Sequence, residues 1–251
     1  MIARQANEST VRLTCVPTSV YDGIGRALAD HSFACRFTKG NLDLAAKVAN
    51  VSWQEYKAFL LALGDLHVRH CFTDGLLNIM SPLHQHDWIK RLISRFIETL
   101  AYDQNIPIKS IGSTTITSEK TERGFEADEA YYIASEAKVR GKLDFVPDRD
   151  PPPDLIIEID VTSSSEPKLA LFAVMKVSEV WLHDGNELRF LNRHRGSYRE
   201  VENSIAFPYL NPGDITRFLD RRAELDETQL VKQFVAWARR RRKAFEKEQN
   251  S

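Results

Sequence analysis

Asp154-Leu155-Ile156-Ile157-Glu158-Ile159-Asp160-Val161-Thr162-Ser163-Ser164-Ser165 decides how this chain is read. The stretch follows three prolines and has the composition of a short buried strand, except that acids interrupt it. Side chains two apart in a strand share a face. Leu155, Ile157, Ile159 and Val161 therefore form one apolar face, and Asp154, Ile156, Glu158 and Asp160 form the other. Neighbouring carboxylates in so apolar a strand are costly unless a cation or a proton lies between them. The pattern predicts a hard-metal site with oxygen ligands.

Two further blocks complete the inventory. Upstream, Gly124-Phe125-Glu126-Ala127-Asp128-Glu129-Ala130-Tyr131-Tyr132-Ile133 passes from charged to aromatic and β-branched, so a strand is expected to begin near Asp128. Downstream, Lys168 falls early in a predicted helix, ten positions after Glu158. An acid, a strand acid and a lysine are what Mg²⁺ binding and activation of a water against a phosphodiester require.

Several blocks occur in a fixed order. They are Met80-Ser81-Pro82 with His84, Ile111-Gly112-Ser113-Thr114-Thr115, Glu126 to Glu129 with Tyr131 to Ile133, and Pro153 to Asp160. Ser163-Ser164-Ser165 with Lys168 and Glu179-Val180-Trp181 follow. From about Val51 to Arg239 the chain thereby resembles the Uma2 family, a branch of the restriction-endonuclease-like PD-(D/E)xK superfamily. The order of the blocks, rather than any one of them, carries the resemblance. It implies an α/β fold with a mixed central β-sheet flanked by α-helices, and a Mg²⁺-dependent endonuclease acting on DNA, with Mn²⁺ as a substitute ion. It also implies catalytic roles for Asp128, Glu158 and Lys168, with Asp128, Glu158 and the Ile159 carbonyl as metal ligands. Two positions depart from the pattern: Ala127 stands where proline is usual, and Asp160 where the superfamily's lysine would stand. The alternative these departures leave open is an inactive nuclease-fold module that binds nucleic acid or a protein partner.

Other residues admit two readings. Asp160 either ligates the ion or positions Lys168 or a serine hydroxyl. His84, in the first turn of a long helix, either faces the cleft or is an exposed helix start. Lys176 is the substitute for Lys168. A zinc site built from His67, His70, Cys71, His84 and His86 lacks paired-ligand spacing. Ser163 to Ser165 read as a helix N-cap rather than a nucleophile. Arg239-Arg240-Arg241-Arg242-Lys243 reads either as a nucleic-acid grip or as a solvated helix end. Arg193, His194 and Arg195 form a second candidate contact.

At 251 residues the chain is long enough to bury a core. Residues 1–47 read as an extension of unknown role, 48–223 as the nuclease-fold domain, and 224–251 as a C-terminal helix packed on it. Thirty-four basic against thirty-five acidic residues give a net charge of −1, so nucleic-acid contact must rely on local patches. Three scattered cysteines, no signal-like start and no membrane-length apolar run predict a cytoplasmic protein. A homodimer is expected only by analogy with enzymes that cut two strands.

Overall fold

The computed structural model describes residues 33–36, 45–63, 69–80, 84–143, 145, 149–160 and 166–250. Residues 1–47 lie mostly outside these; β1 (Phe33–Arg36) and the start of β2 (Ala45–Val48) are the described parts. The chain divides into two compact units, residues 1–83 with 117–126, and residues 84–116 with 127–251.

The first unit is built around helix α1 (Trp53–Leu63) and the strands β3 (Arg69–Thr73) and β4 (Leu76–Met80). Ser52-Trp53-Gln54-Glu55 has capping-box spacing, and the box forms: the Ser52 amide donates to Glu55 Oε2 (2.6 Å), and the Glu55 amide to Ser52 Oγ (3.2 Å). Asp74 and Gly75, both at positive φ, join β3 to β4 in a two-residue hairpin, because that turn matches the strands' twist. With β6 (Thr115–Ser118) and β7 (Arg123–Glu126) they make a six-stranded sheet in the order β1-β2-β4-β3-β7-β6. Val51, Trp53, Tyr56, Phe59, Phe72 and Leu77 fill its core.

The second unit carries the quoted strand, β9 (Leu155–Ile159). Its sheet runs β12-β11-β10-β9-β8-β5. The members are β5 (Lys109–Ser110), β8 (Glu129–Tyr132), β10 (Glu179–His183), β11 (Leu188–His194) and β12 (Ser197–Val201). Strand β9 is antiparallel to β8 and parallel to β10, so the sheet is mixed, as expected. A parallel pair needs a crossover, and α4 (Glu166–Val174) supplies it. Asp184-Gly185 and Arg195-Gly196 read in the sequence as the turns of an antiparallel meander, and β10-β11-β12 form it, with Arg195-Gly196 at positive φ.

One face of this sheet packs under α2 (His84–Asp103), α5 (Pro212–Leu219) and α6 (Glu227–Gln249). Leu155, Ile157, Ile159 and Trp181 meet Ile89, Ile93, Phe96, Phe218 and Phe234 there. Phe96 stacks on Phe234 at 4.4 Å. Asp226 caps α6 through the Gln229 amide (2.9 Å). The alternate residues of β9 turn to the opposite face, where Lys168 of α4 reaches Glu158.

The described residues form two sheets, and the one carrying β9 is the expected mixed sheet flanked by α-helices. Residues 106–117 read in the sequence as one strand, but they hold two short ones, β5 and β6, which join different sheets, with a turn at Gly112 (φ +60) between them. Two short helices add to the expected elements: α3 (Glu136–Val139), and α5 with its Asn211–Asp214 capping box.

Candidate active site

The register Glu129↔Ile157, Ala130↔Ile156, continued by one pair, sets Asp128 across from Glu158. Asp128 stands one residue before β8, at the rim of the sheet. Its Oδ2 accepts the Ile159 amide at 2.7 Å, so the Ile159 peptide lies beside the Asp128 carboxylate. Lys168, in the first turn of α4, pairs with Glu158 Oε1. Asp160, one residue past β9, donates its amide to the His183 carbonyl (2.7 Å), and its carboxylate lies within the electrostatic reach of Lys168. Asp128 and Glu158 are 0 % exposed, Asp160 6 % and Lys168 7 %, so these charges must balance one another inside the protein. Burial opposes the Lys168 ammonium. Glu158, then Asp128 and Asp160, outweigh it and hold the lysine above its ordinary pKa.

The histidine on this cluster is His86, whose Nε2 lies 2.8 Å from Asp128 Oδ2. The sequence motifs point to His84 instead, although a signal for His86 exists: it continues the stripe of Ile89, Ile93 and Phe96 that faces the sheet. His84 opens α2, and its side chain lies outside the described residues.

Asp154 does not join the cluster. Its Oδ2 accepts the amides of Ile133 (2.7 Å) and Ser135 (2.8 Å), and its Oδ1 accepts the Ser135 hydroxyl (3.1 Å), which makes it a clamp on the turn after β8. Glu179 acts similarly: it accepts Trp181 Nε1 and the Ile205 and Ala206 amides. Lys176 is exposed at φ +64 at the close of α4 and is no substitute for Lys168. Residues 163–165, the expected N-cap, lie outside the described residues.

Nor does the basic run reach the cluster. Arg239 pairs with Asp103 at the C-terminal end of α2, whereas His86 touches Asp128 from its N-terminal end. Seventeen residues separate 86 from 103, about 26 Å along an α-helix. Arg241 pairs with Glu248 and Arg242 with Glu246. Arg193 is anchored by a hydrogen bond from its Nε to the Ala173 carbonyl (2.8 Å).

The donor set suits a hard cation. It offers carboxylate oxygens from Asp128, Glu158 and Asp160, all buried. Among the described residues no group of three or more His, Cys, Asp or Glu side chains is gathered for a metal, and two residues of the zinc reading, His67 and the side chain of His84, lie outside them. An ion such as Mg²⁺ keeps several waters and asks a protein for only one or two carboxylates.

The Uma2 family model, described as "Putative restriction endonuclease", matches residues 53–218 of the 251. The chain belongs to the Uma2 family. Asp128, Glu158, Asp160, Lys168 and His86 all lie within the matched Uma2 region. A solved structure from Anabaena variabilis ATCC 29413, described as "a putative nuclease belonging to DUF820", is 15 % identical to this chain. Its match covers 73 % of this chain and 99 % of that one, at a TM-score of 0.45. No curated protein matches. No helix among the described residues is long and apolar enough to cross a membrane.

Proposed function

We propose that this Uma2 protein is a Mg²⁺-dependent endonuclease that hydrolyses phosphodiester bonds in DNA, with Mn²⁺ able to replace Mg²⁺. The observation that carries the reading is the buried set Asp128, Glu158, Asp160 and Lys168, assembled from three elements around the end of β9. Asp128 and Glu158, with the Ile159 carbonyl, would hold the ion. When bound, the ion lowers the pKa of a water and offsets the charge of the phosphate. Lys168 stays protonated at neutral pH and supplies positive charge where anionic phosphate oxygens gather. Asp160 helps to keep that ammonium charged.

One observation favours the second reading, an inactive scaffold that binds nucleic acid or protein: Lys168 pairs directly with Glu158, one of the two carboxylates that would hold the ion. A cleavage assay on supercoiled plasmid and single-stranded DNA, with Mg²⁺, Mn²⁺ or EDTA, separates the two. Metal-dependent nicking by the unaltered chain, abolished in Glu158→Ala, is the expected result. A folded protein that cuts neither substrate under any of these conditions would leave the scaffold reading in place.

A further inference from the structure

We infer that His86 is a positioning residue for Asp128: its imidazole sets which carboxylate oxygen Asp128 turns toward the ion. The inference rests on the reading of Asp128 as a metal ligand. Aspartate χ2 is a broad torsion, so one hydrogen bond leaves the carboxylate plane loosely defined. Here two nitrogens converge on the same oxygen. The Ile159 amide reaches Asp128 Oδ2 from β9 at 2.7 Å, and His86 Nε2 reaches it from α2 at 2.8 Å. Donors from two separate elements fix the plane, and with Oδ2 held, the direction of Oδ1 is fixed too.

His86 is itself well placed to hold still. It is 7 % exposed, and the helix carrying it is packed on the sheet through Ile89, Ile93 and Phe96. Its other nitrogen, Nδ1, stands 3.7 Å from Asp87 Oδ1. Nε2 must carry the proton in order to donate to a carboxylate. Mg²⁺ demands near-ideal octahedral geometry, whereas Ca²⁺ accepts a flexible shell. A misaligned Asp128 therefore penalises Mg²⁺ more than Ca²⁺, and a general loss of stability does not make that distinction.

The test is calorimetric titration of MgCl₂ and of CaCl₂ into the full chain, DNA-free, for the unaltered protein, His86→Ala and His86→Gln. Urea unfolding in EDTA is measured alongside. His86→Ala is expected to weaken Mg²⁺ about 10- to 100-fold, the usual effect of removing a ligand's hydrogen-bond partner, and Ca²⁺ by less. His86→Gln, whose amide nitrogen reaches the place of Nε2, is expected to recover most of that affinity. Unchanged Mg²⁺ affinity in folded His86→Ala, equal weakening for both ions, or no recovery in His86→Gln overturns the inference and leaves the metal site standing. An unaltered protein that binds neither ion overturns the metal reading itself, and the inference with it. Nitrogen-15 NMR of the unaltered chain needs no variant to fold: Nε2–H is expected, and a bare Nε2 overturns the assignment.

Discussion

Glu158 and Lys168 meet as a buried ion pair, and breaking such a pair from one side typically costs about 3–5 kcal/mol. Lys168→Met is thus expected to lower the urea unfolding free energy at neutral pH by that order, since it leaves Glu158 buried beside Asp128 and Asp160 without their cation. Adding Glu158→Gln is expected to restore part of it. The pH dependence has a definite sign. Lys168 has a folded pKa above its ordinary 10.5, so its contribution is complete below pH 10.5 and disappears as pH rises through the folded value. Urea midpoints of the unaltered chain and of Lys168→Met are expected to approach each other only in alkaline solution. Glu158 and Asp160 were legible in the sequence because strand alternation betrays an acid in an apolar run. Asp154 shows the limit of that argument: it alternates correctly, yet its oxygens go to local amides, and alternation says nothing about where a neighbouring loop will fold back.

At the scale of elements, the first unit depends on one close approach. A Cβ built on Gly124 in β7 would meet the Tyr56 ring, with Cε1 at 2.7 Å and the hydroxyl closer still. Tyr56 has no room to retreat, because it is fully buried and stacked on Phe72 at 4.6 Å. Gly124→Ala is expected to destabilise by about 1–3 kcal/mol, the usual cost of overpacking. Combining it with Tyr56→Phe, which removes only the hydroxyl, is expected to recover a part, and a double-mutant cycle by urea unfolding measures the coupling. No sequence pattern announces this glycine, since contact between β7 and α1 joins residues 68 apart. The capped starts of α1 and α6 and the turns at Asp74-Gly75 and Arg195-Gly196 were legible because their signals are local. Strands β5 and β6 were not, because a bend at Gly112 and a change of sheet partner are decided by distant segments.

Across the second unit as a whole, α2 acts as a spacer. It brings His86 to Asp128 at one end and Asp103 to Arg239 at the other. The basic run is therefore a remote feature, and three of its five cations already face the protein's own carboxylates. Arg240→Ala with Lys243→Ala is expected to leave the cleavage rate at saturating DNA unchanged within about twofold. Any effect is expected in KM and in its salt dependence. Each cation that no longer neutralises a phosphate is expected to reduce the logarithmic salt slope by about 0.9 on duplex DNA. A fall in the saturated rate would show that the run acts on the chemistry despite the distance.

The sequence by itself determined the acids, the lysine, the order of blocks and the strand-and-helix character around them, because each is carried by spacings of two to ten residues. Only the tertiary structure decided which of those charges share a site. The β8–β9 register set Asp128 opposite Glu158, the crossover through α4 brought Lys168 onto the same face, and the packing of α2 chose His86. It also set the basic run about a full helix length away. The physical reason is burial: a charge in the interior is tolerated only where a counter-charge or donor arrives from another element, and the folded chain alone fixes that arrival.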